Sequence, residues 1–309
     1  MAASGRKSSF KKKLVGVLMG GVSSERDISL KTGRSVLKAL KESGYRAVGI
    51  DAEKDLCSKI KRRGVGAAFI ALHGSLGEDG SVQGALEVMG VPYTGSGVLA
   101  SAMAMDKVTA KKIFGYHGIP TPGFMVAEVK SGSPGLKLPL IVKPASGGST
   151  IGVTVVRKRA ALKGAVSKAK RFSRRVLIEE FIEGRELTVA IMDEEVFPVV
   201  EIIPKKGFYD FKAKYTSGMT EFRAPAPLKK TVEKKVKRAA LGAYTALRCR
   251  GAARVDVVLD SAERPFVLEV NTVPGLTETS LFPMAAAAAG LDYRGLVETM
   301  LRGAALNKS

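Results

Sequence analysis

Two short apolar stretches carry the residues best suited to chemistry. In Arg254-Val255-Asp256-Val257-Val258 the charged residues stand two apart, and side chains two apart on a β-strand share one face. Phe266-Val267-Leu268-Glu269-Val270-Asn271 repeats that spacing with Glu269 and Asn271. As neighbouring strands, these would present an aspartate, a glutamate and an asparagine side by side, oxygen ligands suited to a hard divalent cation, with an arginine at their flank. A purely structural role would place several polar groups in Val- and Leu-rich strands, which costs stability unless each is paired. Magnesium with bound phosphate accounts for all four residues at once.

A second constellation lies earlier in the chain. Lys143-Pro144 ends an apolar run and leads into Ala145, Ser146, Gly147, Gly148, Ser149, Thr150, Ile151 and Gly152. A glycine loop between two strands can fold over a polyphosphate, its N–H groups donating while the lysine supplies a fixed charge. Read alone, the same residues serve equally as a flexible hairpin turn. Other signatures fail. No Gly-Lys pair occurs, which removes Walker A. Gly95-Ser96-Gly97 with Ala100 satisfies G-x-G-x-x-A, but no acid stands near position 115 to hold a ribose, so a tight strand-to-helix turn is the better reading. HExxH, GxSxG and a second histidine near His73 are missing, and zinc hydrolysis and serine-esterase chemistry lose their support.

The elements that must position these groups follow two rhythms. From Leu14 the pattern reads strand (Leu14 to Met19), helix (about Asp27 to Ser43), strand (Tyr45 to Asp51), helix (Asp55 to Arg63), strand (Ala67 to Leu72), helix (Ser81 to Met89) and a short strand at Pro92 to Thr94. Such alternation predicts a doubly wound α/β unit with parallel strands and ligands at the strands' carboxyl ends, where Gly20-Gly21 and His73 to Gly80 lie. Two helical stretches follow, and the turn Gly118 to Gly123 suggests a module boundary. Beyond it, strands Leu138 to Lys143, Gly152 to Arg157 and Val176 to Ile182 enclose one helix. Leu187 to Asp193, Val196 to Ile203, Ala253 to Asp260 and Pro265 to Asn271 follow, with a long helix Leu228 to Cys249 among them. Runs of adjacent strands imply antiparallel sheet, so this part reads as α+β. No internal repeat is visible.

Composition narrows the alternatives. With 309 residues, 45% of them hydrophobic, the chain can bury a real core of two or three modules. Cys57 and Cys249 stand far apart without metal or dithiol spacing, and read as buried thiols in a reducing cytosol. The apolar run Phe282 to Leu291 is about half the ~20 residues a membrane-spanning helix needs. A net charge of +21 raises the possibility of a polyanion partner. Yet the basic stretches Arg157 to Arg175 and Lys229 to Arg238 also read as solvated faces of amphipathic helices, and the lack of Trp gives little surface for base stacking. Neither a nucleic acid nor a membrane is expected as partner. The basic start followed by Leu14 to Val22 has the outline of a secretory signal, but cleavage there would delete the first strand; residues 1–12 read instead as a disordered basic tail.

Taken together, the stretches resemble the D-alanine–D-alanine ligases, a family of the ATP-grasp superfamily. The resemblance runs from Leu14 to about Leu301. It rests on GGVSSERDISL (Gly20 to Leu30), FIALHGSLGEDG (Phe69 to Gly80), PYTGSGVLASAMAMDK (Pro92 to Lys107), IVKPASGGSTIGV (Ile141 to Val153), YDFKAKY (Tyr209 to Tyr215), RVDVVLD (Arg254 to Asp260) and EVNTVPGLTETSL (Glu269 to Leu281). It implies a three-domain ATP-grasp fold: a substrate domain at 13–97, a central subdomain at 98–186 and a C-terminal subdomain at 187–309. The aperiodic run Pro204 to Pro225 is the expected lid.

By that resemblance Lys107, Lys143 and Lys214 would meet ATP phosphates, with Gly148 and Ser149 closing above them. Glu179, Glu180, Phe181 and Ile182 would surround the adenine, and Glu186 would take the ribose. Asp256, Glu269 and Asn271 would hold two magnesium ions, with manganese as a substitute. Glu25, near His73, would bind the ammonium of the first D-alanine, and Glu25, Ser149 and Tyr215 would form a hydrogen-bonded bridge between domains. Ser280 and the Leu281 N–H would hold the carboxylate of the second D-alanine, while Arg254 and the Gly275 N–H would stabilise an oxyanion. The implied reaction runs through a D-alanyl phosphate in a cytoplasmic homodimer that serves peptidoglycan synthesis. Gly147 departs from the family, which often has Glu there. Two other readings compete: a related ATP-grasp ligase with a different acceptor, and a basic nucleic-acid-binding protein. Oxygen ligands on adjacent strands argue against the last; Tyr215 and the segment Glu269 to Ser280 favour the D-alanine ligases over the other ligases.

Overall fold

The computed structural model describes residues 10–127, 135–148, 150–205 and 218–307. Strand β1 (Leu14–Met19) lies between β2 (Ala47–Asp51) and β3 (Val65–Ile70), and both pairings are parallel. The crossovers are α1 (Arg26–Glu42) and α2 (Leu56–Arg63), followed by α3 (Ser81–Val88). In α1 the buried positions Ser29, Thr32, Gly33, Val36, Ala39 and Leu40 recur at three- and four-residue steps, the stripe by which a helix covers a sheet. The expected strand at Pro92 to Thr94 contracts to single bridges from Tyr93 to Ala68 and Ala305. Tyr45 belongs to the turn that closes α1, its N–H donating to the Leu40 carbonyl.

Next come α4 (Val98–Met105) and α5 (Lys107–Tyr116). Asp106 caps α5 by accepting from the Thr109 N–H at 2.7 Å, which fixes where that helix begins. An antiparallel sheet of order β4-β7-β5-β6 follows, built from β4 (Phe124–Val126), β5 (Leu140–Pro144), β6 (Thr154–Val156) and β7 (Val176–Glu180), with α6 (Leu162–Lys170) on it. The larger sheet has the order β11-β10-β8-β12-β13: β8 is Gly184–Met192, β10 Val200–Pro204, β11 Thr220–Arg223, β12 Ala252–Asp260 and β13 Pro265–Asn271. The two-residue β9 (Glu195–Val196) pairs with β8. Helix α7 (Lys230–Ala246) buries Val232, Val236, Ala239, Ala240 and Ala243 against this sheet. Lys229, Lys230, Lys234, Lys235 and Arg238 are exposed, as a solvated helix face requires.

Further expectations change. Cys57, expected to be a buried thiol, is exposed, while Cys249 is buried. Val196 to Ile203 is not one strand, because Phe197 to Val199 leave the ladder between β9 and β10. Within the run Pro204 to Pro225, expected to lack period, Thr220 to Arg223 pair antiparallel with β10 and alternate half-buried with exposed; residues 206–217 lie outside the described part. Phe10 to Lys12, assigned to a disordered tail, form a turn, and Phe10 packs against the core.

Helices α8 (Leu281–Ala288) and α9 (Tyr293–Arg302) join the first sheet to the larger one. A single buried cluster contains Val15 and Phe69 from the first, Ala190 and Val200 from the second, and Phe282 and Leu296 between them. Gly184 marks a close approach in the larger sheet, since a Cβ there would lie 2.1 Å from the Leu259 carbonyl oxygen. Gly184→Ala is expected to cost about 1–3 kcal/mol, seen as a thermal midpoint several degrees lower; an unchanged midpoint would contradict this packing.

Candidate active site

The two chemistry-bearing stretches form adjacent antiparallel strands. Arg254 pairs with Asn271 and Asp256 with Glu269 across β12 and β13. Arg254 donates to both oxygens of Asp256 at 2.9 Å, Asn271 Nδ2 donates to Asp256 Oδ2 at 3.2 Å, and Thr188 Oγ1 on β8 donates to Asp256 Oδ1 at 2.7 Å. Asp256 thus accepts two hydrogen bonds at each oxygen, and a donor must give way where a cation binds. Among the described residues no group of three His, Cys, Asp or Glu is placed to hold a metal. The set here is instead two carboxylates and one amide, hard oxygen donors that fit magnesium.

Lys107, the first residue of α5, bridges the cleft between the two antiparallel sheets. Its Nζ donates to the Gly147 carbonyl of the glycine loop at 2.7 Å and lies 3.1 Å from Glu269 Oε2. Burial opposes its charge, but the Glu269 carboxylate prevails and raises its pKa. Gly147 has φ +104° with open space where a side chain would stand, so the departure from Glu suits the backbone conformation, not a lack of room. On the far side of the loop, a Cβ on Gly148 would approach Glu25 Oε2 at 3.3 Å, and one on Gly74 would approach it at 2.9 Å. Glu25 at the start of α1 therefore lies between the glycine loop and the His73 loop.

His73 is buried, with Nε2 3.2 Å from Thr32 Oγ1 and Nδ1 3.6 Å from Glu78 Oε1. Burial raises the Glu78 pKa, against the pull of His73. Lys143 on β5 contacts Glu179 Oε1 at 2.5 Å, and Lys111 lies 2.9 Å from Glu179 Oε2. Glu179 is thus no exposed strand-end carboxylate: it is 3% exposed. Burial works against its charge, and the two ammonium groups, Lys143 foremost, outweigh it and keep the pKa below the usual range. Glu180 and Phe181 donate their backbone N–H groups to the carbonyls of Gly123 and Pro139, and Ile182 is half-buried. Glu186 sits on β8, opposite Ile202 of β10 and Val258 of β12.

Ser280 directly precedes α8, which begins at Leu281. Ser280 Oγ accepts from the Thr277 N–H at 3.0 Å, and a Cβ on Gly275 would stand 3.1 Å from that oxygen. Ser149, Lys214 and Tyr215 lie outside the described residues. Three groups escaped the sequence reading: Lys111, Glu78 and Thr188. Lys111 had a signal, since it stands four residues after Lys107, one helical turn on along the same face.

Family models bear on what this cleft does. The D-ala D-ala ligase C-terminus matches residues 123–302, and the D-ala D-ala ligase N-terminus matches residues 54–96. The chain belongs to the D-alanine–D-alanine ligase family. A D-alanine–D-alanine ligase of Syntrophotalea carbinolica is 47% identical over 305 residues, covering 98% of this chain and 100% of that protein. One of Pelotomaculum thermopropionicum is 47% identical over 302 residues, covering 93% and 95%. The crystal structure of the Bacillus anthracis D-alanine–D-alanine ligase complexed with ATP superposes with a TM-score of 0.83 at 35% identity, covering 94% of this chain and 97% of that one. The family's activity is ATP-dependent ligation of two D-alanines for peptidoglycan synthesis. The ATP-grasp architecture and the ligase class read from the sequence are borne out.

Proposed function

We propose that this ligase couples two D-alanines in two steps within the cleft bounded by Lys107, Glu25 and Ser280. The observation that carries the reading is the Lys107 ammonium, which touches the glycine loop and Glu269 together and so marks where a triphosphate would lie. The first D-alanine's carboxylate oxygen attacks the γ-phosphorus, the bond to the bridging oxygen breaks, and ADP leaves with that electron pair. The neutral amine of the second D-alanine then attacks the acyl carbon, the acyl–oxygen bond breaks, and phosphate departs with that electron pair while the nitrogen gives up one proton to it or to solvent as the amide forms. Lys107 and Lys143 meet the phosphates, with Lys214 and the loop residues Gly148 and Ser149 as further contacts. Asp256, Glu269 and Asn271 would hold magnesium, or manganese in its place, which supplies charge neutralisation at the phosphates.

Glu25 pairs with the ammonium of the first D-alanine beside His73, while Ser149 and Tyr215 link it to the other domains. Ser280 and the Leu281 N–H, at a helix start, take the second carboxylate. Arg254 and the Gly275 N–H face the tetrahedral oxyanion. Glu179 to Ile182 line the adenine side and Glu186 the ribose. The domain scheme 13–97, 98–186 and 187–309, the homodimer and the cytoplasmic location are part of the same reading and rest on family resemblance. Among the described residues no helix is long and apolar enough to cross a membrane.

Phosphate release should depend on ATP, magnesium and D-alanine together, with D-alanyl-D-alanine as product. L-Alanine should give none, and D-lactate little as acceptor. Release independent of D-alanine would remove this reading, and ester formation surpassing dipeptide would reassign the acceptor.

A further inference from the structure

Lys111 is the most deeply buried cation described: its side chain is 0% exposed, and the ligation chemistry above does not use it. Lysine is rarely buried unless it is paired. Its Nζ lies 2.5 Å from Thr121 Oγ1 and 3.5 Å from the Pro122 carbonyl, and 5.5 Å above the Phe124 ring. Thr121 in turn donates to the Val267 carbonyl at 2.8 Å, on the strand that carries Glu269. Glu179 Oε2 lies 2.9 Å away as a close ion pair, so the three N–H groups of the ammonium have three oxygens within reach.

Neutralising Glu179 does not require Lys111, because Lys143 already sits 2.5 Å from the other carboxylate oxygen. Two ammonium groups on one carboxylate leave a net single positive charge. Of the two lysines, Lys143 is the one with some side-chain exposure, 10% against 0%, so the surplus is presented there.

We propose that Lys111 is a positioning residue for the nucleotide: by sharing Glu179 with Lys143, it leaves the Lys143 charge available to a bound phosphate. This rests on the reading that Lys143 meets ATP phosphates. Burial draws the Lys111 pKa down to about 8, against the pull of Glu179, which keeps the ammonium mostly charged at neutral pH.

The test compares dissociation constants of ADP and adenosine for the full chain in metal-free buffer, so that only protein–phosphate contacts separate the two ligands. Lys111→Met lowers the charge of the trio by one and should reduce the preference for ADP over adenosine roughly tenfold. Adenosine affinity should stay within about twofold, which a merely structural role would not preserve. Lys111→Met with Glu179→Gln returns the charge to its starting value and should restore the preference to within about threefold of wild type. An unchanged preference in Lys111→Met, or a double variant no better than the single one, overturns the proposal. Should Lys111→Met not fold, Glu179→Gln against the double variant reads the same charge: a preference roughly tenfold higher in Glu179→Gln is expected, and equal values overturn it. Lys143→Met separates the two layers, because an unchanged preference there removes the phosphate reading itself and the proposal with it.

Discussion

Glu269→Gln is expected to lower kcat about a thousandfold or more while the protein still folds. The substitution keeps shape and removes one of two carboxylates in the oxygen set, so the cation that balances the triphosphate loses a charged ligand, and several kcal/mol of transition-state stabilisation go with it. The fold should tolerate the change because Glu269 is 23% exposed and its partner Lys107 also holds the Gly147 carbonyl. With Lys107 12% and Glu269 23% exposed the pair stands between exposed and buried ones, so its loss should cost about 1–3 kcal/mol and lower the thermal midpoint by several degrees. Magnesium titration supplies the check, since half-saturation should shift to higher concentration. Wild-type turnover would remove the metal site from these strands.

Arg254→Met should cost about 10²–10³-fold in kcat, the usual effect of removing one oxyanion donor. The proposed role needs a fixed guanidinium, and two of its nitrogens grip Asp256 at 2.9 Å, which fixes its plane. Asp256 keeps Thr188 and Asn271 as donors when the arginine is lost, so the variant should not collapse. Arg254→Lys retains charge without the planar fork and should recover only part of the rate. Turnover within about threefold of wild type in the Met variant would exclude a direct role in stabilising the oxyanion.

The cluster on β12 and β13 was legible in the sequence because its two governing facts are local. A period of two fixes which residues share a face, and two apolar runs separated by a short turn pair as neighbours. For Lys111 the spacing from Lys107 gave its helix face but not its burial. A lysine on a helix reads as exterior, and its partner Glu179 comes from a distant strand, so only tertiary packing brings them together. Strand β4 is three residues long, and β11 has one apolar residue, Phe222, so neither shows a period. Helix α9 could have been read: Leu296, Val297, Met300 and Leu301 recur at helical spacing, and Asp292 caps it by accepting from the Gly295 N–H at 2.7 Å. The Glu25 contact with the glycine loop was legible only through family resemblance, because it depends on how two sheets face each other.

The four-stranded sheet has its own small core of Leu140, Val142, Val156, Ala165, Ala169, Val176 and Ile178, apart from the cluster that fuses the other two sheets. Its buried apolar contact with α5 is a patch of Val108, Ala145 and Leu177, and beside it stand the Lys111–Glu179 and Arg175–Asp106 pairs. The seam has little apolar area, so its hold rests on charge: the partly exposed Arg175–Asp106 pair trades for water at small cost, whereas the buried Lys111–Glu179 pair does not. On the proposed function this sheet would act as a light jaw against the rest of the molecule, pinned at one buried charged point, with the nucleotide as the rivet. Amide exchange in β5 and β7 should slow on ADP binding far more than in β1 or β3, because on that reading spent nucleotide leaves only as this sheet parts from α5.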